Sequence, residues 1–209
     1  MNNVFTNRVQ AGLLLAEKLG QYKNSKAIVL AIPRGGIPVG FQIAQKLNLP
    51  LDVILTKKIG HPDNREFAIG SVSLDSFFAE KNFGVSQEYI NNEVKRIREL
   101  LKQKYILFRG NRNPVSVIDK TVILVDDGIA TGNTMRAAIK VLRKSKVAKI
   151  VVAVPIAPLQ SDEIKFAADE YICLKSPANL LSIGNHYDDF SEVSDEEVLN
   201  LLNETTLKT

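Results

Sequence analysis

The stretch TVILVDDGIATGNT, residues 121–134, constrains the fold of this chain more than any other segment. TVILV is continuously apolar and rich in β-branched residues, which suits a strand covered on both faces. Two carboxylates, Asp126 and Asp127, end the strand, and a loop of glycine and hydroxyl residues follows at once. The run TMRAAIKVLRK then places Met135, Ala138, Ile139 and Leu142 on one helical face. A strand buried on both sides needs helices above and below it, so an α/β protein with an open parallel sheet is expected.

The same rhythm extends along the chain. Val9, Leu13, Ala16 and Leu19 give helical spacing over residues 6–19. KAIVLAIP (26–33) reads as a buried strand, GIPVGFQIAQKLN as a helix, and LDVILTKK (51–58) as a second strand. The alternation then breaks. Residues 59–85 are rich in Gly, Pro, Asn and charge, with a hairpin expected across FAIGSVSLDSFFAEKNFG. Residues 87–108 carry Ile90, Val94, Ile97 and Leu101 on one helical face, and NRNP (111–114) punctuates the end. The rhythm resumes with strand 121–126, helix 134–145, strand 149–155, helix 160–168 and strand 170–174. In the tail SDEEVLNLLN, Ser194 and Glu197 form a capping-box pattern. We therefore expect about five parallel strands with helices on both faces. Residues 1–209 would form a single domain, with 59–110 as a smaller inserted loop, hairpin and helix region and 175–209 as a C-terminal segment.

Composition bounds the function. The net charge of +4 is modest and spread along the chain, which fits anionic small molecules and disfavours nucleic acid as a partner. A lone cysteine, Cys173, excludes an intrachain disulfide and is compatible with a reducing compartment. Neither CxxC nor HExxH occurs, so zinc is not indicated. The apolar run AGLLLA is too short for a signal peptide or a membrane span. A cytoplasmic protein without membrane contact is the expectation, with homo-oligomerisation left open.

In open α/β sheets, ligands lie beyond the carboxyl ends of the strands where the strand order reverses. The loops after the first and third strands are the places to look. In the third, Gly128, Thr131, Gly132, Asn133 and Thr134 lead into a helix whose first turn offers free N–H groups and a positive dipole end. This reads as a nest for a phosphate monoester, against the plainer reading that Thr131 or Asn133 merely caps the helix. Bare aspartates would repel phosphate. Asp126 and Asp127 make sense if the ligand also brings hydroxyls, or a hard cation to share. After the first strand, Arg34, Gly35 and Gly36 offer a charged fork and free amides for a second anion. The expected ligand is an anion at both ends with a diol between them. The loop lacks the lysine of a nucleotide-hydrolysing P-loop.

VILVDDGIATGNT resembles the phosphoribosyl pyrophosphate (PRPP) signature of the type I phosphoribosyltransferase family, and the supporting core covers most of the chain. One departure is Gly128, where the family usually has a larger apolar residue. The resemblance implies that Asp126 and Asp127 face the ribose hydroxyls and Mg2+, and that Ala130 to Thr134 hold the 5-phosphate. It implies that PRGG is the pyrophosphate loop, with a cis peptide at Pro33–Arg34 or Arg34–Gly35. TKKIGHPDNREFAIGSVS (56–73) would be a mobile cover, in which Lys57, Lys58, His61 and Arg65 could close on pyrophosphate; a solvated basic loop is the equal alternative. It is also similar to members whose acceptor is not defined. Some purine-using relatives carry an acid where Ala130 stands here.

The implied function is Mg2+-dependent transfer from PRPP to a small-molecule nitrogenous acceptor, such as a nucleobase, with release of pyrophosphate. The alternative is a PRPP-binding regulatory protein without transferase activity. NHYDDFSEVSDEE (185–197) reads as capping and a solvated acidic face, Tyr187 and Phe190 as core or interface, and Cys173 as buried in the last strand.

Overall fold

The computed structural model describes residues 4–65, 67–80, 83–110 and 114–206. The NRN of the NRNP punctuation and two residues of the expected hairpin segment, at 81 and 82, lie outside the described residues. The first half comprises α1 (Arg8–Lys18), β1 (Ile28–Ala31), α2 (Gly36–Leu47), β2 (Leu51–Val53), β3 (Lys57–Gly60), β4 (Ala68–Val72), β5 (Phe77–Ala79) and α3 (Gln87–Arg109). The second half comprises β6 (Thr121–Val125), α4 (Asn133–Lys144), β7 (Lys149–Ile156), α5 (Asp162–Ala167), β8 (Glu170–Lys175) and α6 (Asp195–Thr206).

The core sheet has five parallel strands in the order β2-β1-β6-β7-β8. Alternation along the strands explains the helices on both faces. Ile28 and Leu30 of β1, with Val122 and Leu124 of β6, pack with Ile139 and Leu142 of α4. Val29, Ile123 and Val125 point the other way, onto Leu15 of α1 and Ile43 of α2. The order reverses between β1 and β6, so the turns leaving these two strands stand side by side.

A separate antiparallel sheet, β3-β4-β5, holds the expected hairpin. One expectation is corrected here. LDVILTKK is not one strand: Leu51, Asp52 and Val53 pair with β1, and Lys57 and Lys58 belong to β3 in the second sheet. The apolar run hid the break, because Ile54 and Leu55 are buried in the connection between the two sheets. Long α3 buries Ile90, Val94, Ile97 and Leu101 in a third apolar cluster with Ile59 and Ile69 of the small sheet and Val198 of α6. At the edge of the main sheet, buried Asp52 of β2 accepts from Arg109 Nε at 2.6 Å and from the Val115 N–H at 3.0 Å. The C-terminal segment returns to the core: Phe5 and Tyr187 form a parallel bridge with rings 5.4 Å apart. Ser194 caps α6 by accepting from the Glu197 N–H at 3.0 Å. Cys173 sits in β8 as expected but is half-buried, because β8 is an edge strand. No helix among the described residues is long and apolar enough to cross a membrane.

Candidate functional site

The two loops singled out in the sequence meet at the carboxyl ends of β1 and β6. The Pro33–Arg34 peptide is cis, and α2 begins directly at Gly36. A Cβ added to Gly35 would lie 2.0 Å from Asp127 Oδ2, and one on Gly36 would lie 3.0 Å from Asp126 Cα. Both glycines are therefore required by close approach: the Arg34 turn packs directly against the carboxylate pair.

Behind the acids, Gly132 is the N-cap of α4 with φ +76°, a left-handed conformation open to glycine at little cost. Its added Cβ would also meet Ile164 Cδ1 at 2.8 Å. No side chain caps this helix. Thr131, Asn133 and Thr134 are exposed, and Asn133 Oδ1 accepts from Arg136 Nη2 rather than from the helix backbone. The plain capping role for these residues is thus not what the fold uses them for. The first-turn N–H groups and the dipole of a twelve-residue helix remain for an anion.

Gly128 departs from the expected pattern for a steric reason. A Cβ there would lie 2.7 Å from Ile183 Cγ2 and 2.8 Å from Ile156 Cγ2. The C-terminal segment takes the volume that a larger side chain would fill. Ile129 is buried, its N–H donating to the Ile156 carbonyl at 2.8 Å, and Ala130 is exposed beside Thr131 at the rim of a cleft of about 190 Å³.

The two acids have different surroundings. Asp126 is half-buried; its Oδ1 accepts the Asp127 N–H at 2.9 Å, and no cation pairs with it among the described residues. Burial pushes its carboxyl well above the usual range, and the neighbouring Asp127 charge adds to that. Asp127 is buried, and its Oδ2 accepts from Arg8 Nε at 2.8 Å. Burial raises its carboxyl too, against the lowering pull of Arg8. The Tyr187 hydroxyl donates to the Asp127 carbonyl at 2.7 Å, and burial pushes that phenol up.

Arg34 projects from the turn and pairs with Glu192, with Asp195 Oδ1 at 3.8 Å, so the C-terminal segment supplies its counter-charge. The cations of the expected cover do not act as a group. Lys57 and Lys58 are exposed on β3. Lys58 reaches the neighbourhood of the α4 N-terminus, lining with Asn133 and Arg136 a cleft of about 640 Å³. Arg65 is drawn instead onto α3, pairing with Glu93 at 3.0 Å. His61 Nδ1 accepts the Asp63 N–H at 3.2 Å within its own loop.

Arg8, Ile183, Tyr187 and Glu192 were not read as site residues from the sequence. Arg8 lies 119 positions from Asp127, inside the helical spacing of residues 6–19. Local pattern carries no signal for such a contact.

A family model described as a phosphoribosyl transferase domain matches residues 9–184. A Mycobacterium tuberculosis (strain H37Rv) protein, provisionally named a phosphoribosyl transferase, is 37% identical over 95% of this chain and 46% of its own length. Its counterpart in strain CDC 1551 matches equally, so the chain spans about half the length of these curated relatives. The crystal structure of the protein TT1426 from Thermus thermophilus superposes with a TM-score of 0.87 at 36% identity, covering 96% of this chain and 98% of that one.

Proposed function

The chain belongs to the phosphoribosyl transferase family, and on that premise we propose that it transfers the 5-phosphoribosyl group of PRPP to a nitrogenous acceptor, releasing pyrophosphate with the help of Mg2+. One observation carries the reading. An α4 N-terminus without a side-chain cap lies directly behind two adjacent carboxylates, and the Arg34 turn packs against those same carboxylates. That arrangement suits a molecule with a phosphate at one end, a diol in the middle and a second anion at the other end.

The roles follow from the chemistry of each group. The amides from Ala130 to Thr134 would hold the 5-phosphate, and Arg34 with the amides of Gly35 and Gly36 would hold pyrophosphate. The acid pair would meet the ribose hydroxyls and favour positive charge on the sugar. Lys57 and Lys58, on the small sheet, would approach the ligand from above. The donor set also fits a hard cation: Asp126 has no cation partner among the described residues. Mg2+ needs one or two carboxylates when the ligand supplies further oxygens. Bound there, Mg2+ would neutralise the pyrophosphate oxygens as they leave. In the reaction the C1–O bond to pyrophosphate breaks, its electron pair departing with pyrophosphate. The acceptor nitrogen bonds to C1 and gives up its proton to the departing pyrophosphate or to water. Most of the protein's contribution is positioning.

The test is a panel of nucleobases and other nitrogenous acceptors, scored for pyrophosphate release from PRPP and Mg2+. Release with one acceptor establishes the transfer and names the acceptor. PRPP binding without release for any acceptor would favour the regulatory alternative.

A further inference from the structure

The proposed ligand site contains a cation that the family reading does not use. Arg8, the first residue of α1, is 11% exposed and held on three sides. Its Nε donates to Asp127 Oδ2 at 2.8 Å, its Nη1 donates to the Ser191 carbonyl at 2.8 Å, and its guanidinium carbon lies 3.8 Å above the Phe190 ring. A guanidinium tied this way cannot swing out to follow a ligand. Asp127, in turn, is wedged between Arg8 and the Cα of Gly35. Asp126 is half-buried and makes no salt bridge among the described residues, the Arg8 charge reaching it without direct contact.

We infer that Arg8 is a positioning residue that compensates and orients Asp127, leaving Asp126 as the carboxylate of the pair that takes the divalent cation. The assignment rests on the functional reading above and deepens it. Two adjacent carboxylates, when both are ionised, carry a charge of −2, which would oppose binding of an anion as highly charged as PRPP. With Arg8 built in, the group carries −1: enough to attract a hard cation, and less hostile to phosphate. Charges this close interact strongly at the dielectric of a protein surface, so compensating one carboxylate changes the cation affinity of the pair. The same contact anchors the C-terminal segment, since Arg8 bonds to Ser191 and Glu192 pairs with Arg34.

Mn2+ is the probe, followed by water-proton relaxation with and without ribose 5-phosphate. Arg8→Gln frees Asp127 and is expected to bind Mn2+ about tenfold more tightly than the unaltered protein. Arg8→Lys keeps the charge and returns the affinity toward the original value. Arg8→Gln with Asp127→Asn loses the gain. A purely structural arginine would not behave this way, because loosening a fold does not tighten a metal site. Unchanged or weaker Mn2+ binding in Arg8→Gln overturns the inference. If Arg8→Gln does not fold, Asp126→Asn decides: with Arg8 in place it should abolish Mn2+ binding. Retained Mn2+ affinity in Asp126→Asn would mean that Asp127 is open, and would overturn the assignment. A protein that shows the Arg8→Gln gain yet ignores ribose 5-phosphate and PRPP supports the role of Arg8 while sinking the functional reading.

Discussion

At the scale of single residues, the site is built from contacts that leave no room for a side chain. Gly35 admits Asp127, Gly128 admits Ile183, and Gly132 admits Ile164 while holding a left-handed turn. Arg34 is the residue whose role is simplest to isolate. Its pairs with Glu192 and Asp195 are exposed and contribute little to stability. We predict that Arg34→Ala folds normally and weakens pyrophosphate and PRPP by about tenfold or more, with little effect on ribose 5-phosphate. Calorimetry with the three ligands checks this, and equal losses for all three would remove Arg34 from the pyrophosphate end. Asp126 makes a second prediction, through pH. Burial raises its folded pKa above the unfolded value. The protonated folded form therefore contributes stability that is complete below about pH 4 and is lost as pH rises through the raised folded value. Asn cannot ionise and escapes that loss. Asp126→Asn should thus gain in melting temperature over the unaltered protein as pH goes from acid to neutral, while losing the ligand function proposed for it. A pH-independent difference would show that Asp126 ionises as freely in the folded chain as in the unfolded one.

At the scale of elements, short β2 forms the edge of the main sheet and needs protection. Asp52 supplies it by reaching sideways to Arg109 at the end of α3 and to the Val115 N–H. Arg109 also donates to the Val53 carbonyl at 3.2 Å and lies over the Tyr105 ring. Side chains at both ends of the ion pair are at most 10% exposed. Removing the carboxylate takes away the counter-charge of a buried pair, so we predict that Asp52→Ala costs about 3–5 kcal/mol in urea unfolding. Replacing both, as Asp52→Ala with Arg109→Met, should cost less than Asp52→Ala alone. A double variant weaker than the single one would show that Arg109 contributes mainly by packing. α4 has a different dependence. Without a side-chain cap, it is held by Met135, Ala138, Ile139 and Leu142 against the sheet, so its position does not depend on a capping side chain.

At the scale of the whole molecule, the site is a junction of three parts of the chain. The sheet supplies both loops, α1 supplies Arg8, and the C-terminal segment closes on them through Ile183, Tyr187, Ser191 and Glu192. A ligand that bridges these parts should stabilise all of them together. At a concentration about 100 times its dissociation constant, PRPP with Mg2+ would add about 2.7 kcal/mol by mass action. For a chain of this size, that predicts a rise in melting temperature of about 5–10 °C. Ribose 5-phosphate at the same multiple of its own dissociation constant should act similarly. No rise at millimolar PRPP would count heavily against the functional proposal.

The main sheet, its helices and the two loops at the carboxyl ends of β1 and β6 were legible in the sequence because each is written in local pattern. TVILV can be stable only between two layers, the helices show their apolar stripes, and a strand that ends in Asp126-Asp127 and passes through Gly132 into a helix carries its geometry in consecutive residues. The cis peptide, which only the family resemblance implied at Pro33–Arg34 or Arg34–Gly35, lies at the first of these. Local pattern could not separate β2 from β3, since an apolar run reads the same whether it stays in one sheet or crosses to another. Strand alternation implies that the adjacent aspartates point to opposite sides and so differ, but not which of them is paired; a guanidinium 119 positions away and the packing of residues 183–192 decide that. Hydrophobic periodicity sets layers and loops because it acts over a few residues. Charge compensation is set by distance in space, so only the folded chain decides which carboxylate is paired with a guanidinium and which is not.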